Sequence, residues 1–241
     1  MKITITKNEQ KFDQRAAWTI IGQMLSKPNS VIGLSTGETT KNMHKIVSDI
    51  YKANPFLTEE VRIFNVDELT NLPRTYAGSC FSMIKTQICD NLNIPEEHFI
   101  MPPTFSDDFE LECRNFDESL EKAGGVDLQM LGIGWNGHIG INQPGTPFHS
   151  TTWVSPMDPI FEARVRKETG VDDNYPLGGL TLGIKSIMNM KKVVLIAKGK
   201  HKAEIIKKAL KGPVTTDIPA SVLQLHPNCE VLLDADAASM L

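Results

Sequence analysis

Long apolar runs are missing from this sequence. No stretch approaches the roughly 20 residues that a bilayer-spanning helix needs, and the opening MKITITKNEQ lacks the apolar core of a secretory signal. Cysteine is scarce: Cys80, Cys89, Cys113 and Cys229 stand far apart without a C-x-x-C pair. That spacing argues against a zinc site and a secreted disulfide framework, and it fits a reducing cytoplasm. An excess of positive charge is missing too, with 25 basic against 29 acidic residues, a net charge of −4 and no Lys/Arg block. A nucleic-acid partner is therefore not expected, nor a membrane one, and any anionic ligand must be captured by local groups. What remains is a chain of 241 residues, 41% of them apolar, long enough to bury a sizeable core. One domain over 1–241 is the expectation.

Short apolar runs alternate with helix-period segments. Phe12, Ala16, Ala17, Ile20, Ile21 and Met24 form one stripe of a helix over about 12–26. The strand-like VIGLS (31–35) follows, then a second amphipathic helix marked by Met43, Ile46, Val47 and Ile50. RIFNVD (62–67) reads as another β-rich run, ending in an acid. A helical pattern near 107–123, the run VDLQMLGIG (126–134), KKVVLIAKG (191–199), a helix over about 201–211 and EVLLDA (230–235) complete the alternation. Continuous apolar strands such as VVLIA suit a sheet buried on both faces. The expected fold is α/β: a doubly wound, mainly parallel, Rossmann-like sheet with helices on both faces. Ligands in such sheets bind beyond the carboxyl ends of the strands, so the residues after VIGLS, RIFNV, LGIG and VVLIAKG should converge.

Four segments at those ends carry chemistry. Ser35-Thr36-Gly37-Glu38-Thr39-Thr40 joins a strand end to a helix start, where free N–H groups and the helix dipole favour a phosphate, although the same residues are ordinary caps. Asp67-Glu68 places acids at a strand mouth, where restricted solvation raises a carboxyl pKa toward that of a general base; the bland alternative is a cap or surface pair. Gly132 to Gly145 (GIGWNGHIGINQPG) is a turn-rich stretch bearing His138, an imidazole able to titrate near neutrality, though a lone loop histidine is usually a surface group. Lys198-Gly199-Lys200-His201-Lys202-Ala203 offers cations to phosphate oxygens, or is merely a charged surface.

Together FNVDEL (64–69), LGIGWNGHIGINQPGT (131–146) and STG (35–37) resemble the glucosamine-6-phosphate deaminase family, over nearly the whole chain. SKPNSVIGLSTG (26–37), GSC (78–80), AGGVDL (123–128), LTLGIKSIMN (180–189) and TDIPASVLQLH (216–226) look closer to its galactosamine-6-phosphate isomerase branch. The related 6-phosphogluconolactonases typically continue GHTASLFP where this chain reads GHIGINQP, and usually carry Arg where Leu69 stands.

The resemblance implies a deaminating aldose–ketose isomerisation of an amino-sugar 6-phosphate without metal or other cofactor. It makes Asp67 the base that moves a proton from C2 to C1, and His138 the group that opens the ring, with Asn136 beside it. Gln143 departs from the family's NEP pattern: an amide stands where a glutamate supports the histidine, which brings in a weakened sugar-phosphate binder as a competing expectation. For substrate and phosphate the resemblance nominates Ser35, Thr36, Gly37, Thr39, Glu68, Gly137, Lys202 and Arg164, with Arg166 in reserve. The chain stops near 241 without the long C-terminal extension of hexameric relatives, so a monomer or small homo-oligomer is expected.

Overall fold

The computed structural model describes residues 1–241. Its first half runs β1 (Lys2–Thr6), α1 (Glu9–Ser26), β2 (Val31–Leu34), α2 (Glu38–Ala53), β3 (Arg62–Asn65), β4 (Asp67–Thr70), α3 (Cys80–Ile84), β5 (Phe99–Ile100) and α4 (Phe109–Lys122). Then come β6 (Leu128–Gly132), β7 (Trp153–Ser155), α5 (Pro159–Thr169), β8 (Gly178–Thr181), α6 (Ile184–Met188), β9 (Val193–Ala197), α7 (Ala203–Lys211) and β10 (Cys229–Asp234).

The wholly apolar strands are the ones covered on both sides. In β9, Val193, Leu195 and Ala197 face a core filled by Phe116 and Leu120 of α4 and Ile206 and Ala209 of α7. Val194 and Ile196 face the opposite core, filled by Ile20 and Met24 of α1 and Met43 and Val47 of α2. A strand with a helix layer on each side has no face for polar residues, which is why VVLIA shows no alternation. The seven strands of this sheet follow the order β1-β10-β9-β6-β2-β3-β5, and every ladder in it is parallel. The doubly wound architecture expected from the sequence is the one observed. None of the helices is long and apolar enough to cross a membrane.

The run RIFNVD does not form one strand. Arg62–Asn65 pairs with β2 in the parallel sheet, whereas Asp67 opens β4, which runs antiparallel to β8 with Asp67 opposite Thr181. β4, β8 and β7 make a separate three-stranded sheet. Val66 is the branch point: its N–H reaches Leu34 O at 3.4 Å in the main sheet, while its carbonyl accepts from Leu182 N at 2.9 Å. An apolar run has the same appearance on either side of such a break. Two other boundaries shift for local reasons: α1 starts at Glu9 because the Asn8 side chain accepts from Lys11 N, and α7 begins at Ala203 after a 3-10 turn, Lys200–Lys202.

β2 and β6 lie side by side, yet the chain leaves β2 toward β3 on one side and returns from β6 toward β9 on the other. That divergence opens a crevice at their carboxyl ends, where open α/β sheets hold ligands. The segments Ser35–Thr40 and Gly132–Gly145 emerge there.

Candidate active site

The first segment is tied to β6, the strand that leads into the second. Ser35 is buried and its hydroxyl donates to Met130 O at 2.8 Å. Gly37 takes φ +113° in open space, and α2 starts from it without a side-chain cap. The first N–H groups of this 16-residue helix therefore receive no side-chain cap, although Glu38 stands in its first turn, and they are in the geometry that suits a phosphate. Thr36 and Thr39 are half-buried at its edge.

Asp67 and Glu68, neighbours on β4, point to opposite surroundings. Asp67 is half-buried and its Oδ1 accepts from Asn65 Nδ2 at 2.9 Å and from the Cys80 thiol at 3.4 Å. Burial lifts its carboxyl to about 6, against the lowering pull of those two donors. Glu68 is wholly inaccessible. Its oxygens accept the main-chain N–H groups of Leu69 at 2.7 Å, Cys80 at 2.9 Å and Phe81 at 2.6 Å. Burial pushes its carboxyl up to about 7 against those three donors. Glu68, expected as a substrate ligand, is instead committed to backbone: it secures the start of α3 beneath Asp67.

The His138 loop is shaped by its glycines. The imidazole lies directly on Gly134, where an added Cβ would fall 2.1 Å from the ring. Gly137 adopts φ +90° with Ile218 2.7 Å from where its Cβ would be. Asn136 then fixes the chemistry of the ring. Its Oδ1 accepts the main-chain N–H of His138 at 3.2 Å and lies 2.8 Å from His138 Nδ1, while its Nδ2 donates to Gln143 Oε1 at 3.0 Å. The main-chain N–H can only donate, so the atom facing it must be the amide oxygen, and Nδ1 must carry a proton to satisfy that oxygen. The lone pair is left on Nε2. Burial holds the His138 pKa below its ordinary value, the nearby Lys202 charge adds to that depression, and Asp158 opposes it. The ring is thus neutral at pH 7.

Gln143, expected to support the histidine, reaches it only through Asn136. The chain Gln143–Asn136–His138 carries no formal charge.

Lys202 donates to Ile133 O at 2.7 Å, half-buried in the 3-10 turn after β9, and burial lowers its pKa. The rest of that basic segment does not converge: Lys198 is paired with Asp13 at 2.9 Å and Glu9 at 2.8 Å. Nor do the arginines meet the strand ends. Arg164 lies exposed on α5 beside Glu168 at 3.7 Å and over the Phe161 ring. Arg166 bonds Glu162 and Tyr175 O, closing the turn after α5.

Residues 9–232 match the family described as glucosamine-6-phosphate isomerases/6-phosphogluconolactonase. The chain belongs to that family. It is 38% identical to a glucosamine-6-phosphate deaminase of Clostridium botulinum, over 100% of this chain and 99% of that one. Among solved structures, a monomeric glucosamine-6-phosphate deaminase superposes with TM-score 0.93 at 31% identity, each chain covered completely. A 6-phosphogluconolactonase of Trypanosoma brucei superposes with TM-score 0.78 over 100% of this chain and 98% of its own, but at 19% identity that likeness concerns the fold alone.

Within this candidate site, several structural partners were not singled out by the sequence. Asn142 is fully buried, donating to Ile139 O and Leu182 O and accepting from Trp153 Nε1. Thr181 accepts Ile141 N at 3.1 Å. Asn65 and Cys80 hold Asp67. Asn65 and Asn142 sit inside the quoted motifs, so their place was signalled. Cys80 and Thr181 also lie inside quoted stretches, GSC and LTLGIKSIMN, though nothing there points to their partners, and Asp158 lies outside all of them.

Proposed function

We propose that this chain is an amino-sugar-6-phosphate deaminase, converting the aldose amine 6-phosphate to the ketose 6-phosphate with release of ammonia. The observation that carries the reading is a pair of groups with separated protonation habits at one crevice: a carboxyl whose pKa is raised to about 6 and a neutral imidazole with a free Nε2. Enzymes that move protons at neutral pH need such pairs. Its membership of a family with named deaminases at 38% identity supports the same reading.

In this reading the 6-phosphate docks on the amide groups at Gly37–Thr39, aided by Lys202, with Arg164, exposed on α5, approaching only as an outer cation, while Ser35 fixes the loop from behind. His138 accepts the anomeric hydroxyl proton at Nε2 and returns a proton to the ring oxygen, opening the sugar. Ionised Asp67 then takes the C2 proton, giving an enolamine, and delivers it to C1. C2 becomes an iminium carbon, water adds there, and ammonia leaves with formation of the ketone. Asn136 holds the tautomer throughout, and Gly137 shapes the loop around it.

The finer choice is galactosamine 6-phosphate over glucosamine 6-phosphate, on the strength of the sequence details quoted above. The test is ammonia release from each sugar offered separately to the purified protein. Release from the galacto sugar first supports both levels, and release from the gluco sugar alone removes the finer one. Binding without release until Gln143→Glu is introduced would make the chain a sensor. Consumption of 6-phosphogluconolactone with both amines untouched would make it a lactonase. The assembly consistent with this reading is a monomer or small homo-oligomer, with the phosphosugar as partner.

A further inference from the structure

Cys80 takes no part in the mechanism above, yet its thiol lies between Asp67, which does, and Thr36 of the loop that precedes the phosphate-binding amides. The sulfur is 3.4 Å from Asp67 Oδ1 and 3.4 Å from Thr36 Oγ1, in a residue only 7% exposed. Its location is set by Glu68, which grips the Cys80 main-chain N–H at 2.9 Å from the position next to Asp67. Burial, together with the charges of Asp67 and Glu68, keeps the thiol far above its ordinary pKa. It is therefore protonated across the working range and acts as a donor rather than a nucleophile.

We infer that Cys80 is a positioning residue for Asp67: its S–H, with Asn65 Nδ2, saturates Oδ1 and leaves Oδ2 as the oxygen that receives the substrate proton. Oδ1 accepts from both donors, while no protein group donates to Oδ2, and the residue is partly exposed. The single thiol proton is spent on Asp67, so Thr36 Oγ1 donates to sulfur, and the phosphate contact available from Thr36 is its main-chain N–H. The arrangement ties the phosphate loop after β2 to the base on β4 through one atom.

A donor to the ionised carboxylate lowers its pKa, so losing the thiol raises it. The titratable groups acting on Asp67 are Glu68 on its own strand and Cys80 on α3. Asn65 on β3 and Thr181 on β8 face it without charge. The inference rests on Asp67 being the base, and the test separates the two. The carbon-13 signal of the Asp67 carboxyl, assigned with Asp67→Asn, is titrated in the wild type, Cys80→Ala and Cys80→Ser, and ammonia release from glucosamine and galactosamine 6-phosphates is followed over the same pH range. Cys80→Ala should move the Asp67 titration and the acid limb of kcat/KM upward together, by about half a unit to one unit. Activity at pH 5.5 then falls by about 3–10-fold while that at pH 8 is kept, at tenfold per unit. Cys80→Ser, which retains a donor, should recover most of the shift. An Asp67 titration unchanged in Cys80→Ala overturns the inference, as does a loss of equal size at every pH. A wild type that releases no ammonia removes the deaminase reading, and the carboxyl titration still decides the role of Cys80.

Discussion

The loop Gly134–Thr146 and helix α5 both supply candidate site residues, and they are held in opposite ways. The loop is bonded to its surroundings at each turn: Gly134 N to His138 O, Ala220 N to Gly137 O, Gly145 N to Thr216 O, with Asn142 buried as its anchor. Helix α5 buries Val165 alone and is laced by ion pairs along its own surface, Arg164–Glu168 and Arg166–Glu162. A histidine that must keep one tautomer needs the first kind of support, since a turn of the ring would exchange donor for acceptor. A cation that only has to approach a phosphate needs no more than the second, because a point charge tolerates looseness that a directed hydrogen bond does not.

The contrast breaks if a change on α5 hurts as much as one at the pinned residues. The largest effect belongs to Asp67, held like the loop by fixed partners. Asp67→Asn should lower turnover by about 10²–10⁴-fold, measured as ammonia release. The same variant should be more stable than wild type at pH 7. The folded-state pKa is raised from 3.8 to about 6, so the folded form holds its proton more tightly and the protein loses stability as pH climbs through that window. At 1.36 kcal/mol per unit, discounted for a half-exposed group, the gain in Asp67→Asn is about 1–2 kcal/mol by denaturant melts at pH 7, and it vanishes near pH 4.

Next comes Gly134→Ala. A Cβ 2.1 Å from the imidazole must displace it, and a misplacement near 1 Å reduces kcat by on the order of 10²-fold, with KM little changed. Gln143→Glu is milder, because the new charge reaches the ring only through Asn136. It should raise the His138 pKa by about half a unit in imidazole proton NMR titrations and alter kcat less than Gly134→Ala does. The smallest effect sharpens the contrast from the other side: Arg164→Ala should raise KM by about 2–5-fold with kcat kept, an exposed cation contributing roughly 0–1 kcal/mol.

Within this site, the sequence made some residues legible and hid others for identifiable reasons. His138, Asn136 and Asp67 follow apolar strands, and a strand end in an open α/β sheet is a place where ligands are met, so their position could be read locally. Glu68 could not be told from Asp67 by the same rule. Alternation along β4 turns one toward the crevice and the other into the interior, and RIFNVD gives no sign that a new strand with a new face starts at Asp67. Lys198 and Lys202 look alike in the sequence as well. Only the neighbouring α1, bearing Asp13 and Glu9, consumes the first, while the second donates to Ile133 O beside the His138 loop.

The sequence by itself determined the layered α/β architecture, because apolar strands without alternation can be satisfied only between two helix layers, and it placed the glycine-rich His138 loop at a strand end. The tertiary structure alone decided which acid is partly exposed and which is bound to backbone, which lysine faces the crevice, which nitrogen of His138 is free, and that Cys80 stands beside Asp67. Those outcomes depend on groups brought together from β4, α1, Asn136 and α3, and proximity between distant segments of a chain is a property of the packed fold, not of any local pattern.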